Sequence, residues 1–334
     1  MATSPPSVAG ASFSPADAVR EVELAEKRIR RHIRETPLEP SPYLSRETGC
    51  EVYLKLECAQ VTGSFKARGA LNKLLSLGPT DRARGIVAAS TGNHALAVAH
   101  ALDLLGIEGE IFLPASVSPA KLAALRLRTS RLRLIEDDPG LVESVARREA
   151  EASGRVFVSP YNDPQIIGGQ GTIGLELVRQ LDRIDAVFVP VGGGGLVAGI
   201  ASYLESRAPS VRVLGCQPMA SPIMAESVKA GRLLELPSDP SLSDATLGMA
   251  EPGAITFPLC QTLVDEWIVL DEPAIRSAIR LILEQHFLLI EGAAALAVAA
   301  LTTMRERWAG ALVVLLLSGS HIARPALAGV VAEP

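Results

Sequence analysis

The stretch AVFVPVGGGGLVAGIA, Ala186 to Ala201, decides the fold. A run of strand-forming residues enters four consecutive glycines, Gly192 to Gly195, and leaves through an apolar helical segment. A strand that feeds a helix through a glycine turn is the repeating unit of α/β sheets. A tight turn needs only one or two glycines. Four of them let backbone N–H groups close on an anion, and the positive end of the helix dipole adds to the attraction. A phosphate is the guest this turn suits.

Outward from that stretch, strand-like and helix-like segments alternate. EVYLKLE (51–57) precedes the helical SFKARGALNKLLSL, and GIVAAS (85–90) precedes NHALAVAHALDLLG. EIFLP, RLRLIE, RVFVS, VRVLGCQP and ALVVLLLS read as further strands. Ser14 and Pro15 open a first helix as N-cap and N1. The pattern is that of α/β units around mostly parallel sheets. With no Pro/Gly/Ser-rich linker in the middle, any domains are interwoven and not strung in series.

Composition narrows the function classes. The 334 residues are 48% hydrophobic and 21% charged, enough apolar material for a large core. The net charge of -5, the lack of basic blocks and only 4% aromatic residues argue against nucleic acid as a partner. The apolar run ALVVLLL (311–317) is too short to cross a bilayer, so no membrane partner is expected. The N-terminal segment lacks the basic and apolar regions of a secretion signal, and residues 1–12 read as a tail. Cys50, Cys58, Cys216 and Cys260 contain no C-x-x-C pair and read as reduced thiols of a cytoplasmic protein.

A dinucleotide reading meets two partial motifs. Gly193, Gly195 and Ala198 fit G-x-G-x-x-A, and Gly169, Gly171 and Gly174 fit G-x-G-x-x-G. The acid that should hold a ribose falls at Gln217, and the second motif is separated from its strand by a long loop. The sequence argues against NAD.

Three further constellations remain. In QVTGSFKARGA (60–70), Thr62, Gly63 and Ser64 read as a turn and N-cap, which places Lys66 and Arg68 in a helix's first turn. Cations are disfavoured there, so either an anion docks nearby or Lys66 serves as a reactive amine, its pKa depressed by the neighbouring Arg68. In AASTGNHALAVA (88–99), Ser90, Thr91, Asn93 and His94 lie between a strand and a helix and suit a carboxylate. In LLLSGSH (315–321), Ser318 ends a buried strand, where α/β sheets place ligands. A lysine together with a phosphate cradle points to pyridoxal phosphate held as a Schiff base.

These motifs, with DPQIIGGQGTIGLEL and IEGAAALAVAAL, run in order from about residue 35 to 324 and resemble the fold-type II pyridoxal-phosphate enzymes. Within them the sequence is similar to the threonine/serine dehydratase and serine racemase group. The resemblance implies a tryptophan synthase β-like fold of two interwoven domains, each with a mostly parallel open sheet flanked by helices. It places 13–80 and 161–334 in a large domain and 81–160 in a small one, and it implies a homodimer. It makes Lys66 the Schiff-base lysine, flanked by Phe65. Asn93 would hold the ring hydroxyl, and Gly192, Gly193, Gly194, Gly195 and Leu196 the phosphate. Ser318 would meet the ring nitrogen, and Glu291 would lie near the ring. Ser64, Ser90, Thr91, Asn93 and His94 would receive the carboxylate of a small amino-acid substrate. The implied reaction is dehydration and deamination of a β-hydroxy-α-amino acid. Racemisation, with Lys66 and Thr91 on opposite faces, and cofactor binding with little catalysis are the alternatives.

Departures from the family pattern are specific. Ser318-Gly319-Ser320-His321 stands where the family has S-G-G-N, and Ala245 replaces a glycine. Gln217 and Ile223 stand where the family places acids for a divalent cation, so no metal is expected.

Overall fold

The structure is a computed structural model that describes residues 13–117, 119–129, 131–136, 141–248 and 250–332. The expected tail, 1–12, lies outside them. Among the described residues ten strands form two sheets. In chain order they are β1 (Leu38–Pro40), β2 (Glu51–Lys55), β3 (Ile86–Ala89), β4 (Gly109–Pro114), β5 (Leu132–Ile135), β6 (Val156–Phe157), β7 (Ala186–Pro190), β8 (Arg212–Pro218), β9 (Glu266–Leu270) and β10 (Leu312–Leu316). The six-stranded sheet has the order β1-β2-β10-β7-β8-β9, and the four-stranded sheet β5-β4-β3-β6. Every pairing is parallel except β1 with β2. The fold is the α/β, fold-type II arrangement expected from the alternating segments.

Strands β7 and β10 are buried along their whole length, which is why both read as unbroken apolar runs. Strands β1 and β9 were not evident in the sequence. β1 is three residues long and contains Pro40, which an edge strand tolerates because it need not donate outward. β9 is a five-residue edge strand flanked by acids, with Val269 exposed.

The motif Gly169-x-Gly171-x-x-Gly174 lies in the middle of the helix Pro164–Gln180. That helix packs on Lys66–Ser76, Gly195–Arg207 and Pro15–Ile29. A Cβ on Gly169 would stand 2.6 Å from Gly69 Cα, and one on Gly171 would stand 2.8 Å from the carbonyl of Gly199. The glycines therefore let helix backbones touch, and they form no nucleotide turn. The helix Lys66–Ser76 is thereby seated directly on the body of the fold.

Candidate active site

Lys66 is positioned by a seam between its own loop and the end of β10. Phe65 N–H donates to Ser318 O at 3.1 Å and Ser320 N–H to Gly63 O at 3.1 Å, with a single bridge between Ser64 and Gly319. The helix starts at Lys66, and its N-cap is Phe65, without a side-chain cap. The cap expected from Ser64 does not form, because Ser64 is drawn into this seam; its Oγ is buried without a hydrogen-bond partner. Lys66 Nζ donates to the carbonyl of Pro160 at 2.7 Å and lies 5.1 Å from the centre of the Phe65 ring. Burial lowers its pKa to about 8, against the opposing pull of Glu291 and Glu143.

Arg68 does something other than what its place in the sequence suggests. It is fully buried and turned away from the amine, with Nε and Nη2 on Glu57 (2.8 and 2.7 Å) and Nη1 and Nη2 on Glu176 (2.7 and 2.9 Å). Glu176 also takes Lys55 at 2.5 Å and Arg30 at 2.8 Å. Burial opposes ionisation of Glu176, but Arg68 and Lys55 hold its pKa down to about 2. Arg68 thus anchors the helix of Lys66, and the depressed pKa of Lys66 comes from burial and not from Arg68.

The four-glycine turn follows β7. Gly194 is the N-cap of Gly195–Arg207 at φ +87°, a left-handed conformation that favours glycine. A Cβ on Gly193 would stand 2.5 Å from the Tyr161 ring. The first intrahelical bond is Ala198 N–H to Gly194 O, so the N–H groups before it have no partner within the helix. The carbonyl of Gly193 accepts from Thr256 Oγ1 at 2.8 Å.

A second helix start faces the same space. Gly92 caps the helix Asn93–Leu105, and its N–H donates to Ser90 Oγ at 3.2 Å. The buried His94 points its Nε2 at Val158 O, 3.0 Å away. A carbonyl only accepts, so Nε2 carries the proton. Burial lowers the pKa of His94 to about 3, and Lys66 reinforces the effect. Asn93 donates from Nδ2 to both oxygens of the buried Glu291 (2.8 and 2.9 Å), and its Oδ1 meets His321 Nδ1. Burial raises the Glu291 pKa.

These elements enclose one cavity of about 800 Å³. Its wall brings together Phe65, Lys66, Ser90, Thr91, Asn93, His94, Gly192–Gly195, Leu196, Glu291 and Ser318; Ser64 is set back from it. The wall also contains residues the sequence reading passed over, namely Glu143, Pro160, Thr246 and Arg324. Glu143 pairs with Arg147 one helical turn on, a spacing that reads as an ordinary surface pair. Gln217 spends its amide on Val191 O and Ala225 N–H. Among the described residues no group of three or more His, Cys, Asp and Glu is arranged to hold a metal.

A family model described as pyridoxal-phosphate dependent enzyme matches residues 29–319. The chain belongs to the pyridoxal-phosphate dependent enzymes. The L-threonine ammonia-lyase of Geobacter sulfurreducens is 38% identical to it over 301 residues, which covers 90% of this chain and 75% of that one. Among solved structures, maize serine racemase superposes with a TM-score of 0.88 at 30% identity, covering 94% and 96% of the two chains. The processed form of threonine deaminase isoform 2 from Solanum lycopersicum superposes with a TM-score of 0.90 at 29% identity, covering 97% and 94%.

Pyridoxal 5'-phosphate is the cofactor of this family, and the wall suits it. The glycine turn is a cradle that side chains would fill, with unpartnered helix-start N–H groups for a dianion. The Lys66 amine is depressed into the range where a neutral fraction exists at ordinary pH. A second helix start offers N–H groups for a second, smaller anion.

Proposed function

We propose that this chain is an ammonia-lyase. It dehydrates and deaminates a β-hydroxy-α-amino acid such as threonine, serine or a bulkier analogue to a 2-keto acid and ammonia. One observation carries the reading: a depressed lysine amine shares a cavity with two helix N-termini. One suits the phosphate of the cofactor and the other the carboxylate of an amino acid. The relatives named L-threonine ammonia-lyase and threonine deaminase support the same class.

The cofactor, when bound, withdraws electrons from the substrate's α-carbon and so acidifies its proton. The chain does the rest. Gly192 to Gly195 and Leu196 would hold the phosphate, and Asn93 and Ser318 would address the ring. A hydroxyl at Ser318, where a carboxylate would keep the ring nitrogen protonated, would favour prompt loss of a β-substituent. Ser90, Thr91 and the first N–H groups of Asn93–Leu105 receive the carboxylate. His94 keeps its ring on Val158 O and contributes from its backbone. Lys66 removes the α-proton as a neutral amine. The β-hydroxyl leaves as water with the proton that Lys66 took from the α-carbon, and the released unsaturated amine takes up water to give keto acid and ammonia. Phe65 and Leu196 give the cavity wall that holds Lys66 an apolar part.

Keto-acid release from a panel of serine, threonine, phenylserine and hydroxyaspartate tests this proposal. Silence across the panel, with cofactor bound, would overturn it. Thr91 supports a second reading. It lines the same cavity as Lys66, and maize serine racemase shares the fold. A racemase would incorporate deuterium at the α-carbon with inversion, and Thr91→Ala would abolish that incorporation. We also propose a cytoplasmic homodimer. All four cysteines are free, as a reducing compartment keeps them.

A further inference from the structure

His321 stands where the resemblance expects an amide, and the structure gives its ring a defined task. Glu291 is 3% exposed and accepts Asn93 Nδ2 on both oxygens and the backbone N–H of His321 at 3.0 Å. A carboxylate only accepts, which assigns Nδ2 to the Glu291 side of the amide and Oδ1 to the other. Oδ1 meets His321 Nδ1 at 2.5 Å, so in this arrangement Nδ1 carries the proton. The ring sits over Gly63, where a Cβ would stand 2.8 Å from its Cε1. It therefore spans the loop of Lys66, the helix start at Asn93 and the Glu291 turn.

We propose that His321 is a positioning residue for the cofactor ring. By donating from Nδ1 to Asn93 Oδ1 it closes, opposite Glu291, the clamp that fixes where the Asn93 side chain stands beside the ring. This rests on the reading above that Asn93 addresses the ring. Without the donor, Oδ1 loses its partner and the Asn93 side chain is held from the Glu291 side alone. His321→Asn keeps an N–H donor at the δ position but lacks the ring that seats over Gly63, and restores the contact in part.

The test uses purified holoenzyme: wild type, His321→Ala, His321→Asn and Asn93→Ala, with Asn93→Asp in reserve should Asn93→Ala not fold. The readouts are the visible absorption maximum of bound pyridoxal phosphate, its dissociation constant, and the Tm of the cofactor-free protein. His321→Ala should shift the band in the same direction as Asn93→Ala. It should weaken cofactor binding about tenfold, the scale of one hydrogen bond to a well-placed group. The cofactor-free Tm should stay unchanged, and His321→Asn should recover part of both effects. If His321→Ala matches wild type while the Asn93 variant moves both readouts, the proposal falls and the reading of Asn93 stands. If neither variant moves them, the ring is not at Asn93 and both fall. A drop in cofactor-free Tm, with no change in the band, would make His321 a fold residue and overturn the proposal.

Discussion

The amine of Lys66 donates 2.7 Å to the carbonyl of Pro160, which ties the end of that side chain to the segment that follows the four-stranded sheet. Burial holds the amine at a pKa of about 8, against the pull of Glu291 and Glu143. An amine with this value is partly neutral at physiological pH, as a general base needs to be. Lys66→Ala should reduce keto-acid release by at least about a thousandfold, in line with loss of a covalent and proton-transferring group. Steady-state kinetics with saturating cofactor would show it, and retained turnover would exclude Lys66 from the chemistry.

The same depression has a sign for stability. Lys66 has a lower pKa folded than its ordinary 10.5, so its protonated form is disfavoured in the folded cofactor-free protein. The penalty is full below about 8 and disappears as pH rises from 8 to 10.5. Lys66→Met should therefore raise the Tm of the cofactor-free protein at neutral pH, and the gain should shrink across that window. Calorimetry between pH 7 and about 10.5 measures it.

Arg68→Met should destabilise the fold by about 3–5 kcal/mol, because it strands Glu57 and Glu176 as buried carboxylates without their shared partner. Urea unfolding of the cofactor-free protein would read this. A loss under about 1 kcal/mol would mean that Lys55 and Arg30 suffice.

Gly194→Ala places a Cβ 2.9 Å from Cys260 Sγ at φ +87°. The left-handed backbone alone costs about 1–2 kcal/mol for an L-residue. The turn should deform and the cofactor dissociation constant rise by about tenfold or more, as measured by fluorescence titration. Unchanged affinity would dissociate this turn from the phosphate.

Gly169→Ala should act on the fold, through the seat of the helix that begins at Lys66. Its Cβ would meet the carbonyl of Arg68 and Gly69 Cα, both at 2.6 Å, and neither is a flexible side-chain end. A loss of at least about 1–3 kcal/mol is expected from forced overpacking. Urea midpoints report it.

The alternating segments were readable because the strands at the centre of the sheets are buried on both faces and leave continuous apolar runs, as in β7 and β10. Edge strands carry no such run, which hid β1 and β9. The cavity-lining lysine and glycines announced themselves by chemistry that local structure does not require. Arg68 misled because spacing reveals only that a residue lies in a first turn, while its partner Glu176 lies 108 residues away. Ser64 misled for a related reason. Its place as a cap was taken by pairing with Gly319, far along the chain. Glu143 was invisible because a carboxylate four residues before an arginine reads equally well as a solvated pair.

The carboxylate of Glu176 draws in Arg30, Lys55 and Arg68 from 146, 121 and 108 residues upstream. On the ribosome those three cations emerge first, and Glu57, with Glu26 on Arg30, is all that answers them until residue 176 follows. An amino-terminal fragment ending before it carries more buried positive charge than it can neutralise. The nascent chain therefore cannot close this part of its interior until more than half of the polypeptide has been made.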